Sequence, residues 1–196
     1  MTAQHRLVPH EGQDGTFARE SANSNAGFQS ISLQSDQVET HGPDAFRIGM
    51  RRLASGVTIV TAAAEDGLSG LVATSVASVS VHPPAILVCV NRFGTSHEAI
   101  KQSGHFCINV LGQADREVAY LFSRPNNHAT RFQSSRWSSL RTGAPALVDC
   151  LASFDCRISE TADAGTHTVF FGQVLETRLW ADSIKPLLYW DGAYRE

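Results

Sequence analysis

Residues Gly70–Asn91 read GLVATSVASVSVHPPAILVCVN, and the reading of this stretch decides the fold. Small and hydroxylated residues (Ala73, Thr74, Ser75, Ser78, Ser80) lead through a Pro83-Pro84 corner into an apolar strand that ends at Asn91-Arg92. Alternation over Val76–Val81 predicts a strand with Ala77, Val79 and Val81 toward a core and Ser78 and Ser80 away from it. Composition alone fits an ordinary half-buried strand. It also fits a backbone that lies close to a flat ligand, because hydroxyls and free amides can hold polar ring edges and phosphates.

Strand signals continue on either side. Val57–Ala63, Val72–Val81, Ala85–Asn91, His105–Leu111, Ala146–Ser159, Thr168–Thr177 and Leu187–Trp190 carry β-branched and aromatic residues between turn residues. In His105–Leu111, apolar residues occupy both alternating sets, which predicts a strand covered on both faces. Helices are few. Asp44 is placed to cap a helix with Phe46, Gly49, Met50 and Leu53 on one face and Gly56 at its end. Thr95-Ser96-His97-Glu98 has capping-box spacing for a helix stopped by Gly104, and a third helix is expected over Asp115–Ser123. Residues 124–142 are polar and irregular, the pattern of a long surface excursion. Many strands and few helices predict a mainly β domain, a closed or nearly closed barrel. A doubly wound sheet is disfavoured, and no GxGxxG follows any strand.

At 196 residues the chain accommodates one well-buried domain, and 42% hydrophobic with 18% charged residues marks it as globular. Residues 1–42, rich in Gln, Ser, Asn and Gly without periodicity, are expected to be a disordered tail ahead of a domain over 43–196. A net charge of −3, from 16 basic and 19 acidic residues, argues against a nucleic-acid surface. The longest clean apolar run, Ala85–Val90, is too short for a membrane span. No signal-peptide core opens the chain, and the four cysteines form no CxxC pair. A cytoplasmic protein with reduced, buried thiols is the expectation.

No GxSxG elbow, HExxH helix, P-loop or paired-carboxylate setting is present, and the eight histidines fall at no metal-ligand spacing. No metal site is read. Ser96-His97-Glu98 holds the residue types of a hydrolytic triad, but neighbours on one helical turn do not converge. Any chemistry is then expected to belong to a bound organic cofactor.

From Asp44 to Arg195 the chain resembles the short-chain flavin reductase family, the reductase partners of two-component flavin-dependent monooxygenases. The resemblance rests on Phe46-Arg47, the run from Met50 to Thr61, GLVATSVASVSVHPPAILVCVNR and SHEAIKQSGHFCINVL. It continues through Gly143–Leu147, Gly165–Thr168 with FFGQV, and PLLYWDGAY. It implies an FMN-binding split β-barrel with a few flanking helices, usually a homodimer, in which NADH or NADPH reduces FMN or FAD. Implied flavin contacts are Ala73, Thr74, Ser75, Val76, Ser78, Val79 and Ser80 along the isoalloxazine. Asn91, Arg92 and Ser96 are implied near the ribityl chain and phosphate, and His167 on the nicotinamide side. The reduced flavin would serve a separate monooxygenase, with neither nucleic acid nor membrane as partner. The sequence departs from the family pattern at Val76, where an aromatic is common. The competing reading is a flavin carrier or sensor on the same barrel that does not turn over NAD(P)H.

Overall fold

The decisive stretch folds as two strands and the end of a third, not as one long strand and its partner. A computed structural model describes residues 41–124, 130–134, 136–180, 182 and 185–195; the expected tail lies, but for its last two residues, outside these. Strand β3 (Gly67–Ala73) pairs back on β2 (Thr58–Ala64), and β4 (Val76–Val81) pairs forward on β5 (Pro84–Asn91). The expected strand Val72–Val81 is therefore broken at Thr74-Ser75. There the Ser75 hydroxyl donates to the Cys89 carbonyl at 3.0 Å, and the Cys89 amide to the Ser75 carbonyl at 3.1 Å. This short link turns the chain from one edge of the sheet to the other.

With β6 (His105–Val110), β9 (Ala152–Ala164) and β10 (His167–Leu179), these strands form a seven-stranded antiparallel sheet, ordered β3-β2-β6-β9-β10-β5-β4. Its two edge strands are consecutive in the chain. The sheet curls so that β3 and β4 meet at Thr74-Ser75 without pairing, which is the split of a split barrel. A smaller sheet joins β1 (Ser55–Gly56) to the hairpin β11 (Leu188–Trp190) and β12 (Ala193–Arg195). That hairpin turns at Asp191-Gly192, both at positive φ, as a two-residue turn of the right hand for a hairpin requires. A last pair is β7 (Trp137–Ser139) and β8 (Pro145–Leu147), so the expected strand Ala146–Ser159 is divided at Asp149, itself at positive φ.

β2 carries the core on both faces. Val60 and Ala62 pack inside the barrel with Val88, Val90, Phe106, Ile108 and Phe170. Val57 and Ile59 pack outside with Leu111, Ala119, Phe122, Leu147 and Leu187. β6 divides likewise, Phe106 and Ile108 inward and Cys107 against Ala144 and Ala146, in agreement with the two-faced pattern of its sequence. Between the layers, Asn109 is fully buried and fully engaged. Its amide donates to the Ile59 and Pro145 carbonyls at 3.2 and 3.3 Å, and its oxygen accepts from Leu147 N at 2.8 Å and Ser153 Oγ at 2.9 Å. This hub pins the β8 segment to the barrel wall. Gly172, at a register shift of β10, leaves room for Phe106: a Cβ there would lie 2.4 Å from the Phe106 ring.

Three further expectations are corrected. Helix α1 (Pro43–Met50) is capped by Gly42, with Asp44 inside the first turn, and Gly56 lies in β1 and not at the helix end. Helix α2 (Thr95–Ser103) begins after Gly94 with no side-chain cap, although Gly104 ends it in the left-handed conformation, as read. In β4, Val79 and Val81 are exposed and Ser80 is half-buried. The reason is physical: β4 is an edge strand, and a bulge between Ser78 and Ser80 shifts its alternation.

Candidate functional site

Two adjoining cavities open between the barrel and helix α3 (Arg116–Ser123), sharing Leu71, Phe122 and Ser123 in their walls. The larger, about 660 Å³, runs from Leu71, Val72 and Thr74 to Tyr120, Tyr189 and Tyr194. Tyr194 comes from the closing hairpin, and its ring meets Tyr120 edge-on at 4.9 Å and Tyr189 at 5.5 Å. Its hydroxyl lies 2.7 Å from Ser123 Oγ. Burial pushes the Tyr194 phenol above its usual range against the opposing pull of that hydrogen bond, so it holds its proton at neutral pH. The result is an aromatic wall facing a strand edge, a slot suited to a flat ring system.

The smaller cavity, about 290 Å³, ends on the N-terminus of α2 at Gly94, Thr95 and Ser96. Because Gly94 has no side chain to cap them, the first-turn amides of Thr95 and Ser96 face the cavity end, where they and the helix dipole favour an anion. Ser96 is buried and accepts from the Ser69 hydroxyl at 2.9 Å, which leaves its own proton for another acceptor. Across from it stands Arg131, only 5% exposed, donating to the carbonyls of Gly70 at 2.9 Å and Arg124 at 2.8 Å. Its guanidinium lies 5.5 Å from the centre of the Phe122 ring. A buried cation and a helix N-terminus in the wall of one cavity suit this end to an anion. Gly70 permits the arrangement, since a Cβ there would come within 2.7 Å of Phe122.

The residues singled out in the sequence are distributed unevenly over this geometry. Thr74 lines the larger cavity, and Asn91 and Ser96 line the smaller. Arg92 lines neither cavity; it ion-pairs with Asp163, and its amide donates to the Thr166 carbonyl at 3.0 Å. His167 is the cross-strand partner of Asn91 and bonds Thr166 Oγ1 through Nδ1 at 2.9 Å, but it lines neither cavity. Ala73 is buried, its carbonyl accepting from Thr58 Oγ1 at 2.7 Å. Ser75 is spent on Cys89, and Val76 packs on the barrel core. Ser78, Val79 and Ser80 run along the free edge of β4, away from both cavities.

Ser96, His97 and Glu98 do not converge. Ser96 meets Ser69, His97 Nε2 lies 2.9 Å from Thr168 Oγ1, and Glu98 accepts from Gln102 at 3.0 Å. The wall residues Tyr120 and Tyr189 and the cation Arg131 went unread as site residues in the sequence, although Tyr189 lies with Tyr194 in the closing PLLYWDGAY.

A slot for a planar ring that leads to an anion site is the shape and polarity of a flavin mononucleotide. The comparisons with known proteins agree. The family model described as Flavin reductase like domain matches residues 50–196. The chain is 39% identical over 149 residues to FMN reductase (NADH) RutF of Stutzerimonas stutzeri, covering 76% of this chain and 85% of that one. Its fold is similar to BorF, the flavin reductase component of a bacterial two-component tryptophan halogenase. That match has a TM-score of 0.72 at 33% identity and covers 78% of this chain and 96% of the other. It is similar also to the nitrilotriacetate monooxygenase component B homologue of Mycobacterium thermoresistibile, with a TM-score of 0.72, 32% identity, and coverage of 78% and 84%. The barrel, its two-part site and these relatives together make this chain a member of the flavin reductase family.

Proposed function

We propose that this chain reduces FMN with NADH and releases the reduced flavin to a separate flavin-dependent oxygenase. The observation that carries the reading is the pair of adjoining cavities, one walled by aromatics and one ending on an uncapped helix beside a buried arginine. Relatives named as NADH-dependent FMN reductases support the reductase over a passive carrier or sensor. The partner reading is supported by the similarity to the halogenase and monooxygenase components.

When bound, flavin takes up a hydride from the nicotinamide; the chain's task is position and surroundings. Thr74 and the edge of β3 border the slot for the ring, and Tyr120, Tyr189 and Tyr194 keep water from its far side. The amides of Thr95 and Ser96, the Ser96 hydroxyl and Arg131 hold the phosphate, with Asn91 beside them. Arg92 and His167, joined to the β9–β10 turn through Asp163 and Thr166, form the mouth on the nicotinamide side. No side chain has to exchange a proton in the hydride step, which accounts for the missing catalytic constellation. The free edge of β4 and its exposed valines suit a homodimer contact.

The test is anaerobic. Purified protein with FMN and NADH should consume NADH absorbance, and the reduced FMN should then pass an ultrafiltration membrane that retains the protein. Absence of NADH consumption with either FMN or FAD overturns the reductase, and reduced flavin retained with the protein overturns release to a partner.

A further inference from the structure

Phe93 has the greatest exposure of any large hydrophobic residue among those described, 84%, and it stands on the rim of the smaller cavity with Asn91, Gly94, Thr95 and Ser96. An aromatic ring left in water at the mouth of a site calls for an explanation. Its backbone is held on all sides. The Arg92 amide donates to the Thr166 carbonyl at 3.0 Å, the Phe93 amide to Asn91 Oδ1 at 2.9 Å, and the Gly94 amide to the Asn91 carbonyl at 3.1 Å. Three successive amides thus fix the turn between β5 and α2, and the ring is presented from a rigid base.

A mononucleotide with its phosphate at the start of α2 ends inside the cavity. A dinucleotide does not. Beyond the first phosphate it carries a second, a ribose and an adenine, and these have to leave over the rim. We propose that Phe93 is the stacking platform for the adenine ring of a bound dinucleotide, an inference that rests on the placement of the phosphate at Thr95, Ser96 and Arg131. Base–aromatic stacking is tolerant of ring identity and large enough to set a preference between FMN and FAD, or to strengthen binding of the nicotinamide dinucleotide.

Equilibrium binding decides it, without turnover. Riboflavin, FMN, FAD and NAD⁺ are titrated against the wild type, Phe93→Ala and Phe93→Trp, and each protein is sedimented. Phe93→Ala should leave riboflavin and FMN unchanged and raise the dissociation constant of an adenine ligand about 10-fold (~1.4 kcal/mol), with Phe93→Trp restoring it. A loss confined to FAD assigns the platform to the flavin's adenine, and one confined to NAD⁺ assigns it to the nicotinamide dinucleotide's. Equal loss of FMN and FAD, no loss of any ligand, or a change only in sedimentation, as a contact between copies would give, overturns the proposal. The phosphate placement fails by a different result: riboflavin and FMN binding the wild type equally well.

Discussion

A cation at the end of a flavin slot can be either exposed or buried, and the two differ in worth. Arg92 is 35% exposed and held by an Asp163 that is 81% exposed, an ion pair of little net strength. Arg131 lines the smaller cavity and is buried, which also pulls its ionisation below the usual arginine range. In that drier place a charge-assisted contact to phosphate counts for more. Arg131→Gln is therefore expected to raise the FMN dissociation constant about 10-fold (~1.4 kcal/mol) while riboflavin is unaffected, and Arg92→Ala to raise it less. Fluorescence titration with both ligands checks this, and equal loss of both would make Arg131 a structural residue only. Asn91 and Ser96 were named through the family resemblance, and both line the smaller cavity. Arg131 was not, since a lone arginine in a polar run carries no periodicity. What buries it, the Gly70 carbonyl and the Phe122 ring, comes from distant parts of the chain.

Cys107 lies in β6, Cys156 in β9 and Cys150 just ahead of β9, and all three are buried and reduced. Burial pushes the Cys150 thiol up to about 11 and the Cys156 thiol up to about 12, the latter with help from Asp155. Cys107 is also raised, by burial first and by the Asp155 charge next. A folded-state value above the unfolded one, 9.0 for a free thiol here, favours the fold fully below pH 9 and is lost as the pH climbs through the folded value. Urea unfolding should accordingly show stability falling between about pH 9 and 11, with Cys150 alone responsible for as much as about 3 kcal/mol. Cys150→Ala should flatten part of that slope, and an unchanged profile would remove the thiol from the explanation. In the native protein at neutral pH a thiol reagent should titrate at most Cys89, the one half-buried cysteine, and all four after unfolding. The placement of β6 was readable because Phe106 and Ile108 alternate with Cys107 and Asn109, so both sets had to be covered. The break of β3 from β4 was not readable. No glycine or proline punctuates Val72–Val81, and the closure of the sheet is what requires a corner at Thr74-Ser75.

At the scale of the molecule the barrel has one loose end. β4 is an edge strand with Val79 and Val81 exposed at 49% and 73%, and α1 presents Phe46, Ile48 and Met50 without burying any of them. Sequence periodicity turned Val79 and Val81 toward a core and gathered Phe46 and Met50 on one face of α1, and within one chain none of them is buried. That reading counted apolar residues correctly but assumed that a single copy supplies the surface they pack on. An edge strand with exposed apolar residues is a pairing site unless something covers it, and although a bulge bends β4 between Ser78 and Ser80, no charged side chain or proline interrupts Val76–Val81. A second copy of the chain is the occupant we propose, which is also why Ser78, Val79 and Ser80 lie away from the cavities of one chain. Sedimentation equilibrium at micromolar concentration should give twice the 21.2 kDa chain mass. Val81→Lys, on the most exposed position of the edge, should shift that equilibrium toward monomer without lowering the unfolding midpoint of the isolated chain, because it removes no contact inside the barrel. A wild type that sediments as a monomer, or a lysine variant that remains fully dimeric, would leave this edge without the role assigned to it.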